Sequence, residues 1–132
     1  MSHSEALLHL QDIDCRIRDV KQELTDIPAR KNAEQTRLED HRAELLKANE
    51  DLKEEQSALK QLELEEESRE EKVEKLRQQQ LQIKTNKEFK AMEAEIEGVN
   101  REISQLEDKE LDLMERIEAA RAVVREREAA LA

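Results

Sequence analysis

From Leu10 the apolar residues recur at alternating spacings of three and four: Leu10, Ile13, Ile17, Val20, Leu24 and Ile27. A mean period of 3.5 residues puts them at the a and d positions of a heptad, along one stripe of a helix, as in a coiled-coil seam. Leu7 lies just ahead of this stripe. Pro28 interrupts it. Proline has no N–H for the carbonyl four residues back, so the pattern predicts that the first helix ends or kinks sharply between Leu24 and Pro28. Thr25 or Asp26 is placed to cap a new helix with Pro28 in its first turn. The following segment, ARKNAEQTR, has almost no apolar stripe and reads as the weakest helix in the chain.

The same register resumes with Leu38, Leu45, Leu52, Leu59 and Val73 at a, and with His41, Ala48, Glu55, Leu62, Arg69, Leu76 and Ile83 at d. A second, cleaner set has Phe89, Ile96, Ile103, Ile117, Val124 and Leu131 at a, and Met92, Val99, Leu106, Leu113 and Ala120 at d. Between the two sets the phase moves by two residues; an unbroken heptad would put a core position on Lys87.

A stutter or a turn can shift phase, and the local chemistry selects the turn. Within LQIKTNKEFKAMEAEIE, Thr85 and Glu88 stand three apart in the spacing of a capping box, which starts a helix. Lys84 lies near the carbonyl end of the preceding helix, where positive charge complements the dipole. Antiparallel pairing about this turn sets Ile83 against Phe89, Leu76 against Ile96, Val73 against Val99, Leu59 against Leu113, Leu52 against Ala120 and Ala48 against Val124. Both classes of core position are satisfied by one register. The expected fold is all-α: a long antiparallel coiled-coil helical hairpin with a Pro-kinked or broken N-terminal arm. The expected divisions are an amphipathic arm at 1–27, a first hairpin helix at 28–83, a turn at 84–88 and a second helix at 89–132. The register also puts Arg69 against Ile103, Glu66 against Leu106 and Glu55 against Ile117, each forgoing roughly 1.5–3 kcal/mol that a buried Leu would supply.

Composition narrows the class further. Of 132 residues, 43% are charged and 1% aromatic, with one Gly and one Pro, so a compact many-turned domain lacks both its core and its loop chemistry. The net charge of -11 disfavours the rod as a general nucleic-acid binder. No apolar run approaches a membrane span and no signal peptide opens the chain, so the expected compartment is the cytoplasm. Cys15, the only cysteine, cannot form an internal disulfide. No phosphate loop, nucleophile motif, EF-hand spacing or metal cluster stands out, and scattered carboxylates on long helices make no acid–base pocket. An enzyme is not expected.

Four stretches carry a resemblance: LLHLQDIDCRIRDVKQEL near the start, DIPAR at the break, QIKTNKEFKAMEAEIE at the tip and ISQLEDKELDLMERIE in the second helix. In this order they make the chain similar to the N-terminal coiled-coil portion of bacterial C4-type zinc-ribbon proteins. That resemblance implies an elongated helical hairpin followed by a small ribbon built on two Cys-x-x-Cys pairs. It also implies a binding role, toward protein partners such as a sigma factor or a flagellar or secretion component, or toward nucleic acid. The chain departs from the pattern in having no Cys-x-x-Cys pair, so no zinc or other cofactor is expected within it; zinc is expected only where a C-terminal ribbon exists.

Two candidate interaction surfaces remain. At the tip, Lys84, Thr85, Asn86, Lys87, Glu88, Phe89 and Lys90 form a locally basic end on an acidic rod, suited to an acidic protein or to nucleic-acid phosphates, against the alternative of ordinary solvated charge. The acidic run Glu63–Glu71 reads as a solvated face. In the arm, Leu7, Leu10, Ile13, Ile17, Val20, Leu24 and Ile27 make a seam with no partner under the hairpin register. It would dimerise, fold back at Pro28, or meet a second helix extending past residue 132, the chain then being a fragment.

Overall fold

The computed structural model describes residues 2–132 and contains two helices, α1 (His3–Gln80) and α2 (Asn86–Leu131). The fold is an all-α helical hairpin, with no strand among the described residues. It divides into two units, Met1–Ala43 with Leu131, and Glu44–Ala130 with Ala132.

In the first unit α1 begins with a capping box that the heptad analysis did not register. The Ser2 hydroxyl accepts from the Glu5 N–H at 3.2 Å, and the Ser2 N–H donates to the Glu5 carboxylate at 3.3 Å. Pro28 does not divide two helices, because α1 runs continuously across it. The expected separation of 1–27 from 28–83 therefore falls inside one helix. A proline in a helix interior leaves the carbonyl four residues back without its bond and costs about 3 kcal/mol; the helical residues on both sides carry that local defect. Thr25, expected as a cap, instead donates its hydroxyl to the Lys21 carbonyl at 3.0 Å, the back-bonding available to a mid-helix threonine.

The second unit holds the core. Val73 and Leu76 of α1 pack with Ile96 and Val99 of α2, flanked by Met92 and Ile103. This is the antiparallel register deduced from the heptads. Ala48, Leu106, Ile117 and Val124 continue the buried seam. Charged flanks clamp it: Arg69 Nε meets Glu102 Oε2 at 2.8 Å, and Arg127 Nη1 meets Glu44 Oε2 at 2.8 Å. Arg69, predicted as a polar intrusion, leaves 41% of its side chain exposed and pairs its guanidinium with Glu102.

Carboxylates also enter the seam. Glu110 is only 8% exposed, its Oε1 lacks a hydrogen-bond partner, and Glu55 likewise buries an unpartnered Oε2. Glu110 occupies an a position between Ile103 and Ile117, opposite Leu62. A charged side chain is tolerated there because two helices alone cannot fully enclose the seam.

Candidate interaction surfaces

The tip is built by tightening one helix and capping the next. At the end of α1, Leu81 N–H reaches the Arg77 carbonyl at 3.2 Å, Gln82 N–H the Gln79 carbonyl at 3.1 Å, and Ile83 N–H the Gln80 carbonyl at 3.2 Å. The last two are shorter-range bonds that use up end carbonyls. Thr85 then turns to φ -100 and ψ 142, and its hydroxyl accepts from Glu88 N–H at 3.3 Å as the N-cap of α2. The Thr85 carbonyl accepts the first helical bond, from Phe89 N–H at 3.0 Å.

The connection therefore lies at 81–85, ahead of the expected 84–88, and Asn86 to Lys90 form the opening turn of α2. The shift follows from Thr85 acting as the cap: residues after it are helical. Gln80, which the heptad pattern passed over, staples the tip. Its Nε2 donates to Glu93 Oε2 at 2.7 Å and lies 3.5 Å from the Phe89 carbonyl.

Lys84, Thr85, Asn86, Lys87, Glu88 and Lys90 are exposed, and Phe89, expected in the seam, remains 43% exposed. Among the described residues none of the three lysines is in an ion pair, so they are brought together as an open basic turn beside an aromatic edge. Lys87 and Lys90 sit at the positive end of the α2 dipole, with Glu88 as the acidic residue of that turn. Dipole compensation accounts for Arg77 at the end of α1, but not for these two lysines.

In the first unit the seven arm residues share an exposed stripe. Leu10 is 57% exposed, Ile17 49% and Leu24 65%, with Leu7, Ile13, Val20 and Ile27 likewise open. A shallow groove along it is lined by Ile13, Arg16, Ile17, Val20 and Lys21. Helix propensity and capping hold the arm helical, while its apolar face stays uncovered.

Midway along the hairpin a third feature emerges that the sequence reading missed. The Glu66 carboxyl lies against Glu110, and its pKa is raised above the ordinary 4.5, first by a hydrogen bond with Glu110, then by burial and by the charge on Glu110. Glu63 adds to the rise by its charge, while a hydrogen bond with Glu107 opposes it. The vacant a position between Ile103 and Ile117 was the available signal for Glu110.

This arrangement is an antiparallel coiled-coil hairpin whose distinctive features are a capped basic tip and an exposed seam. The chain belongs to the family of the CT398-like coiled coil hairpin domain, which it matches over residues 10–132. No curated protein and no solved structure matches it. Cys15 is free and exposed, and no group of three or more His, Cys, Asp or Glu suited to a metal occurs among the described residues. No helix among them is long and apolar enough to cross a membrane.

Proposed function

We propose that the protein is a non-enzymatic coiled-coil adaptor, chaperone-like in holding a partner along a helical face. The observation that carries this reading is the row of seven exposed apolar residues from Leu7 to Ile27 on one helix face. Burying such a side chain contributes roughly 1.5–3 kcal/mol, so a helix laid along the row would gain a contact of useful strength. By resemblance, the hairpin serves as the rod of a larger zinc-ribbon protein in the cytoplasm, with a sigma factor or a flagellar or secretion component as the partner. Recovery of a defined protein on immobilised wild-type chain, and its loss with Ile17→Asp, is the expected result. Equal recovery by both would sink the seam as the docking face.

A second reading has an observation of its own. Lys84, Lys87 and Lys90 stand open at the tip beside exposed Phe89, the pairing of charge and ring that single-stranded nucleic acid uses. The acidic rod behind them works against long duplexes. Reversal of the three lysines to Glu would abolish a salt-sensitive oligonucleotide complex under this reading. It would leave a protein complex on the arm undisturbed under the first.

A further inference from the structure

Among the described residues Leu81 is the most exposed large apolar side chain, at 86%, and it stands in the turn between α1 and α2. We infer that the tip docks a protein segment carrying both acidic and apolar side chains, with Leu81 as the apolar contact and Lys84, Lys87 and Lys90 as the cations. Turn chemistry does not call for a leucine there, since glycine and short polar residues serve turns better. A side chain so open also contributes almost nothing to the hairpin itself. Its backbone is nonetheless fixed: Leu81 N–H bonds the Arg77 carbonyl at 3.2 Å, and the next two N–H groups are held by the carbonyls of Gln79 and Gln80. A leucine presented from an anchored turn loses little further freedom on contact.

Cations border this leucine on both sides. Arg77 lies one helical turn back, on the same face, and Lys84 follows three residues on, within about 11 Å along the chain. Lys87 and Lys90, three apart in the first turn of α2, share a face of that helix. Glu88 is the single acid from Arg77 to Lys90, in a chain whose net charge is -11. Charge complementarity therefore selects an acidic occupant. Both helices lead away from this end, α1 back from Gln80 and α2 onward from Asn86, so the opening of the tip does not depend on where the chain begins or stops.

Between a protein segment and single-stranded nucleic acid, the apolar groups decide. Bases stack on ring faces, but the most open apolar group here is aliphatic, and Phe89 is already more than half covered. A segment with carboxylates beside leucine-like side chains uses the cations and Leu81 together, as an apolar contact rimmed by charge. A polyanion that ran on past the tip would meet the acidic helices behind it. Fluorescence anisotropy at low salt, with the full chain and a labelled amphipathic peptide of Glu and Leu, supplies the test. Leu81→Ser should weaken binding roughly fivefold with no change in melting temperature, and joint reversal of Lys84, Lys87 and Lys90 to Glu by roughly tenfold or more. The same peptide with Ser in place of Leu should bind wild type as weakly as the original binds Leu81→Ser. Oligothymidylate of equal charge should bind less tightly and ignore Leu81→Ser.

No peptide binding, indifference to Leu81→Ser or to the lysine reversal, or tighter binding of oligothymidylate would each overturn the inference, the last in favour of a nucleic-acid tip. Ile17→Asp keeps the tip distinct from the arm: it should leave the peptide's affinity unchanged. Loss of the peptide with Ile17→Asp would place it on the arm and overturn the tip as its site. Peptide binding that depends on Leu81, alongside an arm that captures nothing, would overturn the arm as a docking face and uphold the tip.

Discussion

Glu66 of α1 and Glu110 of α2 bring their carboxyl groups together across the middle of the hairpin, with no donor between them while both are charged. A proton on the Glu66 carboxyl supplies the missing hydrogen bond. The folded pKa of Glu66 lies above its ordinary 4.5, so between these two values the folded chain binds more protons than the unfolded one. The resulting stabilisation is fully present below about pH 4.5 and is lost as pH rises through the folded value. Glu63 and Glu107 border the pair, while Arg69 is engaged by Glu102. Thermal unfolding by circular dichroism across this range should show Glu110→Gln gaining stability over wild type near neutrality, with the advantage shrinking on acidification. Parallel pH profiles would contradict the raised pKa of Glu66.

The packed layer nearest the tip makes a sharper mechanical prediction. Ile96 is 3% exposed and sits in the Val73, Leu76 and Val99 cluster, whereas Phe89, one heptad nearer the turn, is 43% exposed. Ile96→Ala should therefore cost about 2–5 kcal/mol through lost burial and the cavity left behind. Phe89→Ala should cost about half as much or less, since much of its ring is already in water. Urea unfolding of both variants tests the ranking, and equal losses would mean that the apolar layers extend further toward the tip.

Two backbone positions carry unfavourable local choices inside the helices. Gly98 is helical without a positive φ, and a Cβ there would meet only the Arg101 guanidinium at 3.9 Å. Gly98→Ala should stabilise the hairpin by about 0.5–1 kcal/mol. Pro28→Ala restores an N–H in the interior of α1 and should slow amide exchange from Thr25 to Lys31. Unchanged exchange would show that the defect is already absorbed by the helix.

The heptads made the hairpin legible because both core classes obey one antiparallel register, from Val73–Val99 out to Ala48–Val124. They could not place the helix ends, which depend on which residue caps: Thr85 does, and so Asn86 to Lys90 are helical. At Pro28 the break, one of the two outcomes the pattern left open, does not occur, for a related reason. Its local cost is real, but a continuous helix of 78 residues outweighs one missing bond. Glu110 was passed over because charge at an a position reads as a gap in the pattern rather than as a buried group. Gln80 was invisible to periodicity altogether, since its role is set by where Glu93 arrives from the opposite helix.

At the tip, structure and charge are carried by different residues, so they can be separated. Thr85 caps α2 through its hydroxyl, and Thr85→Ala should cost about 1 kcal/mol, with Thr85→Ser recovering most of it. That loss corresponds to a melting shift of roughly 3–5 °C for a chain of this size. Reversing Lys84, Lys87 and Lys90 touches no ion pair among the described residues; it places negative charge at the positive end of α2 but also, at Lys84, near the carbonyl end of α1, so the two effects offset and melting should hold steady. Binding should respond in the opposite way: any acidic partner lost on reversal should still bind Thr85→Ala at temperatures where that variant is folded. Melting curves and titration of both variants against the same acidic peptide or oligonucleotide provide the comparison. Loss of binding in Thr85→Ala while it remains folded would mean that the ligand reads the shape of the capped turn, and not its lysines alone.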